Sequence, residues 1–240
     1  MTIVLLHGSW HAAWCWHKVA PLLESRGHQV HAPDLPAHGR DWRLMRGRTT
    51  LRAMAASVCR LLDAVEGPVL LVAHSRGGIV ASTVAEMRPD KLKGVVYLAA
   101  YMLRDGERVA DMFRQDRASL VPRSLRIRRL ALTDMLDSEA FEPALYADCS
   151  AADVALARAL LTPEPLLPAL TRLRLSADRY GTVPRHYIGL SQDRAVSPAL
   201  QRRMVEASPC ASVSLIDASH SAYFSRPQEL ADVIDRIAGA

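Results

Sequence analysis

Six residues, Ala73-His74-Ser75-Arg76-Gly77-Gly78, carry the clearest chemistry in the chain. They separate an apolar run, Val69–Ala73, from a helical pattern over Ile79–Met87. A serine with small residues two places to either side, in a strand-to-helix turn, is pushed clear of the sheet. The new helix then aims its N-terminus at the reacting centre. Ser75 is therefore the candidate nucleophile. A serine hydroxyl needs a base. Of nine histidines, two follow Ser75, His186 and His220. His186 lies inside a strand pattern. His220 closes Asp217-Ala218-Ser219-His220 on a loop after the last expected strand, so it is the candidate base. The acid belongs on the loop after the preceding strand, where Ser191-Gln192-Asp193-Arg194 offers Asp193. Asp217 is a rival, but three residues from His220 is awkward for a facing geometry. Asp105, after the fourth expected strand, is a second rival.

A tetrahedral intermediate needs two N–H donors. The backbone amide of Arg76, next to the nucleophile, is one candidate. The amide of Ser9, in His7-Gly8-Ser9-Trp10 after the first strand, is the other. His7 and His11 invite a metal reading, but no third ligand stands at a plausible spacing, so no metal is expected. His74 is expected to point away from the reacting centre and to pack. Trp10 adjoins the oxyanion loop and is a candidate pocket wall. Tyr101 and Phe113 are further candidates for substrate contact, and Trp14 and Trp16 are expected to anchor the first helix.

These residues need a parallel sheet to bring them together. Strands are expected over Thr2–Leu6, His28–Ala32, Val69–Ala73, Gly94–Ala100, His186–Leu190 and Val213–Ile216. Helices are expected over about Trp14–Ser25, 51–65, Ile79–Met87, Pro198–Ala207 and Pro227–Ile237. Residues 105–182 interrupt that rhythm. They show no strand-like run and read as helices over Glu107–Phe113, Ser124–Leu136, Ser138–Tyr146 and Ala151–Leu161, the last with Ser150 as N-cap. The expected organisation is a six-stranded α/β core, 1–104 with 183–240, and a helical cap, 105–182, over the carboxyl edge.

Composition sets the outer limits. The chain has 240 residues, 50% hydrophobic and 23% charged, which suits one large domain and excludes global disorder. No apolar run approaches the roughly 20 residues of a membrane span. No charged-then-apolar leader precedes the first strand, so a cytoplasmic protein is expected. Of 30 basic residues 27 are Arg, but no basic run interleaves with aromatics, so nucleic acid is not an expected partner. Residues 104–129 hold eight arginines against four acids, a distribution that either steers anionic substrates or is a solvated surface. The four cysteines form no CxxC and read as small buried hydrophobes. Oligomeric state is not legible; a homodimer stays open.

Several segments together resemble the plant methylesterase and hydroxynitrile lyase family of α/β-hydrolases and its bacterial relatives. They are Val4–Trp16, Ala73–Gly78, Val96–Met102, Leu145–Ala157, Tyr187–Asp193 and Ala218–Ser221. The resemblance implies an α/β-hydrolase fold, Ser75, Asp193 and His220 as a triad, the Ser9 and Arg76 amides as oxyanion hole, and neither metal nor organic cofactor. The lyase branch has a threonine after the first-strand histidine and a lysine after the catalytic histidine. Here those positions are Gly8 and Ser221, and Ser221 joins the substrate-contact candidates. The esterase branch has histidine before the nucleophile, as His74 stands here. Arg76 departs from the family's usual leucine, and its side chain can line or gate the pocket. The cap holds no tryptophan, since Trp10, Trp14, Trp16 and Trp42 all precede it.

The expected activity is therefore hydrolysis of a small or medium carboxylic ester, such as an aryl or methyl ester, through an acyl-enzyme. The alternatives are a cofactor-free lyase, C–C hydrolase or dioxygenase on the same scaffold, or a non-catalytic receptor for a small ligand.

Overall fold

The computed structural model describes residues 1–41 and 46–239, and Trp42 lies outside the described residues. Six strands, all paired in parallel, form the main sheet: β1 Thr2–Leu6, β2 Gln29–His31, β3 Val69–His74, β4 Leu92–Leu98, β8 Arg185–Leu190 and β9 Ser212–Ile216. Their spatial order is β2-β1-β3-β4-β8-β9. Each expected core strand is present, Thr2–Leu6 with its expected ends and the others with one or both ends moved by at most two residues.

Alternate residues of the strands enter opposite halves of the core. Ile3, Leu5, Leu70, Val72, Val96, Leu98 and Ile188 pack on one side, against helices Val19–Glu24 and Pro227–Gly239. Val4, Leu6, Leu71, Ala73, Val95 and Tyr97 pack on the other, against helices Leu51–Ala64, Gly77–Met87 and Pro198–Ala207. Two-sided burial is why these strands read as continuous apolar runs. Helix starts follow capping chemistry: the side chains of Thr50, Ser150 and Ser197 each accept from the amide three residues on.

β4 and β8 are neighbours in the sheet, yet residues 99–184 separate them in sequence. The expectation that 105–182 is wholly helical is overturned. Helices Val109–Gln115, Val121–Ser124, Phe141–Leu145, Ala151–Leu160 and Leu167–Leu170 are joined by a second, antiparallel sheet. Its strands are β5 Leu125–Arg128, β6 Thr133–Leu136 and β7 Glu164–Pro165. The expected helix over Ser124–Leu136 is in fact the β5–β6 hairpin. Leu125-Arg126-Ile127-Arg128 alternates with period two, and Leu132 at φ +50° helps the chain reverse. Four of the eight arginines in 104–129 form ion pairs with nearby acids: Arg104 with Glu107, Arg108 and Arg114 with Asp111, and Arg126 with Asp137. All four cysteines are free. Among the described residues no helix is long and apolar enough to cross a membrane.

Candidate active site

Ser75 stands at the carboxyl end of β3, with φ +53°. A non-glycine residue in the left-handed region costs on the order of 1–3 kcal/mol and persists only when its surroundings enforce it. They do so here. Its N–H donates to Leu98 O at 3.2 Å, and its carbonyl accepts from the amides of Gly78 at 3.1 Å and Tyr101 at 3.0 Å. The turn also requires glycine beside it: a Cβ on Gly77 would come 2.6 Å from His7 O. Helix Gly77–Met87 begins at once, so the Arg76 amide belongs to the unsatisfied donors of its first turn.

The loop after β1 closes on this elbow. A Cβ on Gly8 would lie 2.8 Å from Ser75 Cβ and 2.9 Å from His74 Nδ1, so only glycine lets the two segments approach this closely. Ser9 follows, buried, and its carbonyl accepts from His11 Nδ1 at 2.7 Å. With that proton placed, His11 Nε2 accepts from the hydroxyls of Tyr146 at 2.6 Å and Tyr223 at 3.0 Å. Burial lowers the His11 pKa to about 4, which keeps the ring neutral in this role. His7 is likewise committed: Nε2 accepts from the Leu35 amide at 3.0 Å and Nδ1 donates to Gly8 O at 2.9 Å. Burial first, and His38 second, lower its pKa to about 3.

His220 and Asp193 meet between the loops after β9 and β8. His220 Nδ1 lies 2.7 Å from Asp193 Oδ2, with both residues buried. The carboxylate is held on every side. Its Oδ1 accepts from the amides of Ala195 at 2.7 Å and Val196 at 2.9 Å, and its Oδ2 also accepts from Gln201 Nε2 at 3.2 Å. The rival acids lie elsewhere. Asp217 is exposed and accepts from Ser191 and Gln192 of the loop after β8 instead of from His220. Asp105 accepts from the Leu175 amide at 2.9 Å. His186 pairs across the sheet with Ser212 Oγ at 2.8 Å.

His74 does not point away from this centre, contrary to expectation. Its Nε2 donates to His220 O at 3.0 Å, and the two rings stand 4.4 Å apart. The position before Ser75 therefore braces the candidate base. Burial, then the charge His220 can carry, hold the His74 pKa well below the ordinary range, so the ring adds no cation beside His220.

The remaining candidates divide. Tyr101 is buried on the loop just after β4, where its amide donates to the Ser75 carbonyl. Ser221 is fully buried with Oγ 3.0 Å from Tyr223 Oη, while Phe113 packs half-buried on the core. Trp10, at φ +64°, is tied to residues 134–164. Its N–H donates to Glu164 Oε2 at 2.9 Å, its indole Nε1 to Asp134 Oδ1 at 2.9 Å, and its carbonyl accepts from the Thr162 amide at 2.9 Å.

The sequence reading missed Asp134, Glu164 and His38. Both Asp134 Oδ2 contacts to the Arg76 guanidinium are 3.4 Å, and Glu164 Oε1 is 3.6 Å from Arg76 Nη1. Glu164 Oε2 also accepts from His38 Nε2 at 2.8 Å. All four side chains are buried. Arg76 itself was the available signal: a cation inside an apolar elbow demands acids near it.

The model of the alpha/beta hydrolase family matches residues 3–233. The chain belongs to that family. Among curated relatives, Methylesterase 9 of Arabidopsis thaliana is 33% identical over 98% of this chain and 97% of its own length. Putative methylesterase 11, chloroplastic, from the same plant is also 33% identical, and there the chain spans 63% of the relative. Among solved structures, the crystal structure of a pyrethroid hydrolase from Sphingobium faniae JZ-2 superposes with a TM-score of 0.90. It is 27% identical, covering 100% of this chain and 98% of that one. The elbow, the acid loop and the histidine loop all lie at the carboxyl ends of β3, β8 and β9, where open α/β sheets place their ligands.

Proposed function

We propose that this chain is a serine ester hydrolase acting on small or medium carboxylic esters. Methyl esters stand first, in keeping with the names of its Arabidopsis relatives. The observation that carries the reading is the 2.7 Å contact of His220 Nδ1 with Asp193, on the same sheet edge as a serine held at φ +53°. With Nδ1 committed to Asp193, Nε2 is the nitrogen left to work. In the proposed reaction it takes the Ser75 proton as Oγ attacks the ester carbonyl. The oxyanion is received by the amides of Ser9 and Arg76. His220 then protonates the departing alcohol, the acyl group stays on Ser75, and a water deprotonated by His220 releases the acid. Asp193 holds the tautomer and stabilises the imidazolium.

In this reading residues 1–104 and 183–240 are the core, and 105–182 is a cap that closes over the substrate. Trp10, Tyr101, Phe113 and Ser221 are the proposed substrate-side residues. Four unpaired thiols suit a reducing, cytoplasmic setting. Ser75→Ala tests the reading: turnover of p-nitrophenyl acetate and of methyl esters should disappear, together with labelling by a fluorophosphonate probe. Undiminished turnover in Ser75→Ala, or an unsubstituted protein that neither turns over esters nor is labelled, sinks it.

A further inference from the structure

We infer that Asp134 and Glu164 are positioning residues that clamp both halves of the oxyanion hole, so that the region covering the site also sets its catalytic geometry. This rests on the ester-hydrolase reading, and specifically on the Ser9 and Arg76 amides as donors.

The two donors come from segments 67 residues apart. The strands that lead into them pair in the main sheet, with Leu6 opposite Ala73, and Gly8 packs on Ser75. One pair of acids adds a second tie, beyond the strand ends and through side chains. Asp134 and Glu164 face each other in the β6–β7 ladder. Ser9 is followed by Trp10, and Glu164 holds the Trp10 N–H while Asp134 holds its indole. Together with the Thr162 amide on its carbonyl, Trp10 makes three hydrogen bonds to this region. They explain how a bulky side chain persists at φ +64°. The second donor belongs to Arg76, whose guanidinium lies against the same two carboxylates at 3.4 and 3.6 Å, with its carbon 5.9 Å from the Trp10 ring.

Charge accounts for the cluster without an outside ion. Arg76, and His38 when protonated, face the carboxyls of Asp134 and Glu164; burial raises the Asp134 pKa while Arg76 pulls it down. Although burial alone would lower the His38 pKa, Glu164 raises it; although burial would raise Glu164, His38 and Arg76 hold it at about 2. Buried ion clusters seldom exceed well-packed apolar side chains in stability. What this one supplies is fixed geometry: its groups have rigid partners on both loops. A donor misplaced by about 1 Å costs on the order of 10²-fold in rate.

The test compares Asp134→Asn, Glu164→Gln and the milder Trp10→Phe with the unsubstituted protein, with active sites counted by fluorophosphonate so that unfolded material is excluded. Asp134→Asn can still accept from the indole but can turn an amide N–H toward Arg76. Trp10→Phe removes the indole bond alone and supplies the comparison if an acid variant fails to fold. We expect kcat per active site to fall about 10- to 100-fold in the acid variants and less in Trp10→Phe, with KM changed less than threefold. Affinity for a trifluoromethyl ketone, which forms an oxyanion on Ser75, should fall in step with kcat. Affinity for the matching methyl ketone should hold. A merely structural role lowers Tm and the count of active sites but leaves kcat per site unchanged, and that result overturns the clamp while the hydrolase reading stands. A fall in kcat that trifluoromethyl ketone affinity does not follow also overturns it. Absence of turnover and labelling in the unsubstituted protein overturns the hydrolase reading and the clamp together.

Discussion

Gly8→Ala is the smallest change that reaches the reacting centre without touching a proposed catalytic atom. The new Cβ would lie 2.8 Å from Ser75 Cβ and 2.9 Å from His74 Nδ1, against an ordinary contact of 3.4 Å or more. Gly8 is not among the residues with positive φ, so alanine meets no backbone strain and the effect is steric. The β1 loop and the elbow must separate by about half an ångström, and neither side yields easily. Ser75 is bonded through both its N–H and its carbonyl, and His74 is held by its bond to His220 O. Overpacking of this kind costs about 1–3 kcal/mol of stability, or roughly 2–4 °C in Tm for each kcal/mol at this chain length. The larger effect falls on the proposed oxyanion hole, because Ser9 is carried away from Arg76. A loss of about 10² in kcat/KM is expected, close to 2.7 kcal/mol of transition-state stabilisation. The assay is p-nitrophenyl acetate hydrolysis normalised to fluorophosphonate-titrated sites. Gly181→Ala serves as control, since its Cβ would meet only ordinary contacts at 3.4 and 3.7 Å. A Gly8→Ala protein within threefold of the unsubstituted kcat/KM, at unchanged Tm, would refute the close-approach argument.

Two further predictions follow from buried charge. Asp193→Asn should lower kcat by about 10³- to 10⁴-fold, because the amide can offer His220 Nδ1 an N–H in place of an acceptor and favour the wrong tautomer. An effect below tenfold would remove Asp193 from the proposed triad. Stability should fall with acid between pH 6.5 and about 3. His7 and His11 stay neutral in the fold down to about 3 and 4, while the unfolded chain protonates them from about 6.5. The unfolded state then binds more protons, so stability is lost as pH falls, by on the order of 3 kcal/mol for His11 and more for His7. His38 has the opposite sign: its folded pKa is raised, so its contribution is complete below about 6.5 and is lost as pH rises through the raised value. Urea unfolding at a series of pH values checks the acid limb, and a flat profile from pH 6.5 to 4 would contradict it.

Local sequence determined a great deal here. The elbow was legible because small residues at 73 and 77 are a short-range steric need, met within five positions. The central strands β1, β3 and β4 were legible because two-sided burial leaves short continuous apolar runs. The less buried edge strands β2 and β9 were placed by the alternation of strands and helices. Asp193 and His220 could be chosen because each follows an expected strand in chain order, and strand ends are where a parallel sheet gathers its loops. The hairpin at 125–136 was missed because its Leu/Ile–Arg alternation is short, and the leucines nearby also fit a helical period. The role of His74 was not legible because its partner, the His220 carbonyl, lies 146 residues away on a loop that only the fold brings beside it.

What the sequence could not decide is which distant charges meet. Arg76 announces a need for counterions, but every acid of the chain was open as a partner. The choice of Asp134 and Glu164 depends on the β6–β7 register, and that register depends on how residues 99–184 fold back over the sheet. The residue types that do the proposed chemistry are thus written in local spacing. The charge environment of the oxyanion loop is set by long-range packing, because burial lets only those acids that meet a cation remain ionised at little cost.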